Sequence, residues 1–98
     1  MNDGPAPAGP AVERRALIRN QRGLHARAAA KFVKLATEYV ADIQVSKGGQ
    51  TVSGRSIMGL MMLAAGPGTE IVLSARGDDA EAALDAICAV IADKFEED

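Results

Sequence analysis

Hydrophobic and polar positions change period several times along this chain, and each change marks a predicted element. Val12 to Arg19 (VERRALIR) reads as a first strand, although its alternation is incomplete. Asn20 to Gly23 supply a polar loop. Ala29, Phe32, Val33, Ala36 and Val40 then recur at steps of three and four, which places them on one face of a helix opening near residue 26. Around Val40 the period falls to two. Ala41, Ile43 and Val45 alternate with Asp42, Gln44 and Ser46, as a half-buried strand requires. Gly48-Gly49 can take the positive φ angles of a tight hairpin, with Thr51 to Ser53 as the returning strand.

Ser56 is a good N-cap for the segment SIMGLMMLAA, which Gly66-Pro67-Gly68 stops. Thr69 to Arg76 (TEIVLSAR) is β-branched and apolar, the clearest strand in the sequence, and Gly77 ends it. Asp78 and Glu81 form a capping arrangement for a last helix, whose buried stripe is Leu84, Ile87, Cys88, Ile91 and Phe95. The order is β-α-β-β-α-β-α. It predicts an α+β open-faced sandwich: a four-stranded, largely antiparallel sheet with three helices on one face. Residues 1–11, rich in Pro, Gly and Ala, are expected to be a disordered tail, 12–95 one domain, and 96–98 a frayed acidic end.

Composition narrows the function. The chain has 98 residues, a formal net charge of −2, two Phe, one Tyr and no Trp. A nucleic-acid binder of this size needs basic excess and stacking aromatics, and neither is present. No apolar run approaches the roughly 20 residues that cross a bilayer, and the start has no signal-peptide pattern. The single cysteine, Cys88, suits a reducing cytoplasm, the expected location. Nothing calls for a metal or a cofactor: with one histidine and one cysteine a zinc site lacks ligands.

That one histidine stands in RGLHARAAAKFVKLA, at the entrance of the first predicted helix. The unpaired amides of Ala26, Arg27 and Ala28 and the positive end of the helix dipole make an anion site there. Arg27 adds a guanidinium fork suited to phosphate oxygens, and Arg22 adds charge nearby. First turns favour Asp or Glu, so an arginine in this one is misplaced unless something negative visits. The same field disfavours imidazolium and leaves a neutral ring nitrogen able to accept a phosphoryl group, a transfer that needs chiefly positioning and charge stabilisation. A lone histidine is also commonly structural. A serine–histidine hydrolase would need an orienting carboxylate and an oxyanion hole, which nothing here specifies. Spacing alone leaves the structural and phosphoryl readings both open.

GLHARAAAKFV resembles the active-site signature of the histidine-containing phosphocarrier (HPr) family of the bacterial phosphotransferase system, and GRSIMGLMML resembles that family's second, regulatory segment. The two motifs and the element order extend the likeness over roughly residues 12–95. The resemblance implies phosphorylation of His25 on Nδ1, with Arg27 steadying the group. Phosphate would come from the phosphohistidine of an enzyme I and leave for a histidine of an enzyme IIA. The protein would be a monomeric stoichiometric carrier rather than an enzyme. One departure stands out: the family motif continues His-x-Arg-Pro, whereas Ala28 follows Arg27 here, which restores an amide and loosens the first turn. The proline-rich leader and MMLAAGPGT point towards the nitrogen-related branch, with sugar uptake the other option.

Ser56 is expected to cap its helix and, by resemblance, to be the regulatory target of an HPr kinase/phosphorylase. A phosphate there would put about two negative charges beside the docking surface. Leu60, Leu63 and Ala64 fit an inward face, which leaves Ile57, Met58 and Met61 as surplus apolar groups for a docking patch. The resemblance puts that patch next to His25, together with Ala26 and Ala30, and Arg22, Arg27 and Arg55 are expected to form a basic rim facing acidic partner surfaces. The alternative is a regulatory interaction module whose phosphorylation state controls partner proteins; RNA binding fits poorly.

Overall fold

The computed structural model describes residues 11–97. Residues 1–10, most of the predicted tail, and Asp98 lie outside the described residues. The elements are β1 (Val12–Leu17), α1 (Ala26–Ala36), β2 (Asp42–Lys47), β3 (Gln50–Ser53), α2 (Ile57–Met62), β4 (Glu70–Arg76) and α3 (Ala80–Ala92), with a short turn of helix at Lys94–Glu96. The strands form one sheet in the order β1-β4-β2-β3, and every neighbouring pair is antiparallel. This is the α+β arrangement that the alternating periods predict.

Register decides which face is buried. Leu73 stands opposite both Arg14 and Val45, and Ala75 opposite both Val12 and Ile43. Ile43, Val45, Ile71, Leu73 and Ala75 are therefore on one face, and all are closed to solvent. Phe32, Leu60, Leu84, Ile87 and Ile91 of the helices close the core over them. Each such side chain contributes roughly 1.5–3 kcal/mol by its burial. Glu13, Arg15, Gln44, Ser46 and Glu70 occupy the other, open face. Among the described residues no helix is long and apolar enough to cross a membrane.

The hairpin forms as the glycine pair requires, with Gly48 at φ 57 and Gly49 at φ 84. The helix ends differ from the periodic reading, because distant cations close them. α1 stops at Ala36 and does not reach Val40. The Arg55 guanidinium takes the carbonyls of Ala36 (3.4 Å) and Tyr39 (2.6 Å), and Val40 is 86% exposed. α2 stops at Met62, well before Gly66. Lys47 Nζ donates to the carbonyls of Leu63 (2.9 Å) and Ala64 (3.2 Å), and Ala64 turns left-handed at φ 53. Consequently Ala65, not Ala64, joins Leu60 and Leu63 in the core. Cations at helix carboxyl ends match the dipole and satisfy carbonyls that have no partner within the helix.

The start of α3 also departs from expectation. Asp79, not Asp78, holds the N-cap position, and no side chain caps the helix. The Asp79 carboxylate is engaged elsewhere: it accepts from the amides of Val40 and Ala41, both at 2.8 Å, and so ties the α1–β2 turn to the β4–α3 turn. Those backbone donors, that of Val40 foremost, outweigh partial desolvation and hold its carboxyl below the usual range. Cys88 is half-buried, and desolvation raises its thiol, away from thiolate reactivity. Past α3 the chain reverses through Lys94, Phe95 and Glu96, all left-handed with φ 58, 54 and 59, and Phe95 reaches the core. Glu96 pairs with Lys31 at 2.6 Å, so the acidic end expected to fray is bonded at least as far as Glu97.

Candidate functional site

His25 is the N-cap of α1. Its backbone is extended (φ −73, ψ 178), its carbonyl accepts from Ala29 N at 2.8 Å, and its Nδ1 accepts from Arg27 N at 3.2 Å. The ring thus does some of the structural work that a Ser or Asp does in that position. It is also accessible: the side chain is 25% exposed and lines a cavity of about 350 Å³ with Gln21, Arg22, Arg27 and Glu97. The first turn of α1 carries no acid, as its sequence shows. Neither Arg22 nor Arg27 has a carboxylate within ion-pair distance among the described residues. A cavity with two uncommitted guanidinium groups at a helix N-terminus attracts an anion.

Of the three amides expected to cradle phosphate, those of Ala26 and Arg27 lie on exposed residues. Ala28 is fully buried, so its amide is not open to a visiting group. The loop before His25 is seated by close backbone contact: Leu24 N donates to Ala65 O at 3.0 Å, and Gly23, at φ 62, passes the same carbonyl too closely for any side chain. The residues after α2 therefore border the histidine. A second depression of about 300 Å³ joins Arg22, Leu24 and His25 to Met61, Ala64, Ala65 and Gly66.

Apolar side chains are exposed on α1 and α2, and Met61 among them borders the ring. Ile57 (40%), Met58 (69%) and Met61 (39%) are exposed on α2, as is Met62 (66%), and Ala26 and Ala30 are exposed on α1. Arg55 does not border His25. Its guanidinium is bound at the carboxyl end of α1, and His25 is at the opposite end, about 16 Å away along an 11-residue helix. Ser56 does cap α2, its Oγ accepting from Gly59 N at 2.9 Å.

Two residues of the site were not legible in the motif. Glu97 accepts from Gln21 N (2.6 Å), Arg22 N (3.3 Å) and Asn20 Nδ2 (3.2 Å), and its Oε2 lies 3.6 Å from His25 Nε2. Asn20, 1% exposed, also donates to Gly23 O at 2.8 Å and so braces the loop from inside. Arg22 and Glu97 are 75 positions apart, and no local pattern joins them. A larger depression of about 580 Å³ between α1 and α3 has Lys31, Lys34, Leu35 and Val90 on its walls but no group suited to phosphoryl transfer.

Comparison with known proteins bears on this geometry. Residues 12–93 match the family model described as the PTS HPr component phosphorylation site. The chain belongs to the HPr family. Among HPr relatives, it is 49% identical over 86 residues to the phosphocarrier protein NPr of Shewanella violacea, covering 88% of this chain and 94% of that one. The crystal structure of HPr from Thermoanaerobacter tengcongensis superposes with a TM-score of 0.85 at 42% identity, covering 89% of this chain and 98% of that chain. An HPr from the same organism, described as a dimer, superposes with a TM-score of 0.71 at 45% identity, covering 82% and 92%. HPr proteins are phosphocarriers of the phosphotransferase system, and the four-stranded antiparallel sheet with three helices is their fold.

Proposed function

We propose that this HPr-family chain is a stoichiometric phosphocarrier that takes a phosphoryl group from the phosphohistidine of an enzyme I onto His25 Nδ1 and gives it to a histidine of an enzyme IIA. The observation that carries the reading is the accessible imidazole at the N-terminus of α1, with Nδ1 directed at the Arg27 amide and, beside it, an Arg27 guanidinium that pairs with no carboxylate among the described residues. In the transfer, the Nδ1 lone pair forms the new N–P bond as the donor's N–P bond breaks and its electron pair returns to the donor ring. No water and no metal enters this balance. The Arg27 amide turns from Nδ1 to a phosphoryl oxygen, and the guanidinium holds a second oxygen.

The docking surface is Ala26, Ala30, Ile57, Met58 and Met61, an apolar patch that adapts to more than one partner because methionine is flexible. Ser56 is its regulatory residue, open to an HPr kinase/phosphorylase, and a phosphate there repels an acidic enzyme I. The carrier acts as a cytoplasmic monomer. Its likeness to NPr supports the nitrogen-related branch, in which the phosphorylation state also signals to regulated proteins.

Incubation with labelled phosphoenolpyruvate and an enzyme I tests the reading. The protein gains acid-labile, base-stable phosphate, and His25→Ala gains none. Equal labelling of the variant rejects the assignment.

A further inference from the structure

The Glu97 carboxylate has no part in the transfer described above, yet the chain is shaped to deliver it to the imidazole. Three consecutive non-glycine residues, Lys94, Phe95 and Glu96, hold left-handed angles just before it. Such a path is strained and persists only where surrounding contacts over-determine it. The contacts are burial of Phe95, the Lys31–Glu96 pair, and the three donors from Asn20, Gln21 and Arg22 that grip the Glu97 side chain. Glu97 is consequently 16% exposed and faces the one ring nitrogen that the phosphoryl group does not use.

Because Nδ1 accepts from the Arg27 amide, the proton of the neutral ring is on Nε2, and Nε2 faces Glu97 Oε2 at 3.6 Å. We propose that Glu97 is a positioning residue that keeps the Nε2 proton on the phosphorylated His25 ring, and so keeps the phosphoryl group ready to leave. This deepens the phosphocarrier reading and rests on it. When the N–P bond forms, the ring acquires positive charge and no proton needs to move; the carboxylate balances that charge. When the group departs to a histidine or to water, the N–P electron pair returns to Nδ1. A ring that still holds its Nε2 proton leaves as neutral imidazole, whereas one that has lost it must leave as imidazolate, a far poorer leaving group. The carboxylate thus keeps the ring a good leaving group without touching phosphorus.

Among the described residues, the other charged groups facing the ring are Arg22 and Arg27, both cations that act against a ring proton. The side bordered by Leu24, Met61 and Ala64 to Gly66 adds, among the described residues, no titratable group beyond Arg22. Among the described residues that line these two depressions, Glu97 is the single anion. Partial desolvation opposes its charge, but the donors from Asn20, Gln21 and Arg22 outweigh that and hold its carboxyl below the usual range, so it is ionised wherever the phosphohistidine titrates.

The test is the pH profile of phosphate loss. Full-length protein is charged with enzyme I and phosphoenolpyruvate, freed of donor, and followed by phosphorus NMR across the neutral range. Glu97→Gln keeps the shape and removes the charge. Its midpoint for loss of lability falls by about half a pH unit, which makes phosphate release about threefold slower on the alkaline side of the wild-type midpoint. A profile that superposes on the wild type overturns the proposal. So does a uniform slowing with an unmoved midpoint, because it assigns Glu97 a merely structural role. His25→Ala, run alongside, separates the two levels. If that variant takes up phosphate as the wild type does, the carrier reading itself fails; if it takes up none while Glu97→Gln titrates like the wild type, only the role of Glu97 is lost.

Discussion

Replacing Gly23 with alanine probes how the histidine loop is seated. A Cβ at Gly23 would lie 2.2 Å from Ala65 O and 2.9 Å from Gly66 Cα, and the residue sits at φ 62. The left-handed backbone alone costs an alanine about 1–2 kcal/mol. Relieving the contact requires the two segments to part by about 1 Å, which stretches the Leu24 N to Ala65 O bond from 3.0 Å beyond useful length. Its loss adds about 0.5–1.5 kcal/mol, for a sum of about 1.5–3.5 kcal/mol. With a urea slope of about 1–3 kcal/mol/M, the unfolding midpoint falls by about 0.5–3.5 M. Gly48 supplies the control: its φ is 57, but a Cβ there meets nothing within 4 Å, so Gly48→Ala costs the backbone term only. The histidine follows Gly23 by two positions, and a shift of about 1 Å there slows phosphoryl acceptance by up to ~100-fold. Gly48→Ala charges at the wild-type rate. Equal midpoint losses in the two variants would refute the close-approach argument, and normal charging by Gly23→Ala would refute the link from loop seating to site geometry.

Two further outcomes follow from the same contacts. Ser56→Asp and Arg55→Ala separate docking from capping: the first folds but accepts phosphate from enzyme I more slowly. The second loses about 1 kcal/mol in denaturant unfolding, because α1 loses its carboxyl-end cation, yet charges normally. Slow charging by Arg55→Ala would return that residue to the docking surface. Asp79 gives an acid signature. Its folded carboxyl lies below the unfolded value, so its stabilisation is complete above the unfolded value and is lost as pH falls through the folded one. Asp79→Asn lowers the melting temperature at neutral pH and flattens its decline in acid, read by calorimetry at several pH values; an unchanged acid slope rejects the bond to Val40 and Ala41 as its source.

Element type and order were legible because they are local. Ile43 and Val45 alternate with polar neighbours, Ala29 and Phe32 recur at helical spacing, and Gly48-Gly49 is a hairpin by backbone freedom alone. His25 at a helix entrance, with Arg27 in an acid-free first turn, was legible for the same reason: cap, dipole and misplaced cation are within a few residues. Helix ends were not. A carbonyl at the end of α1 or α2 is satisfied by whichever donor the fold brings near, and Arg55 and Lys47 arrive from other elements. Asp79 likewise reads as a cap for its own helix, but two amides of the α1–β2 turn claim its carboxylate. Glu97 was hidden most completely. Its role depends on a left-handed reversal after α3 and on the buried amide of Asn20, neither of which has a signature in the residues beside it. Short-range chemistry put His25 and Arg27 at a helix entrance; folding chose which carboxylate faces His25 Nε2, because only packing brings Glu97 to a loop whose Arg22 is 75 positions away.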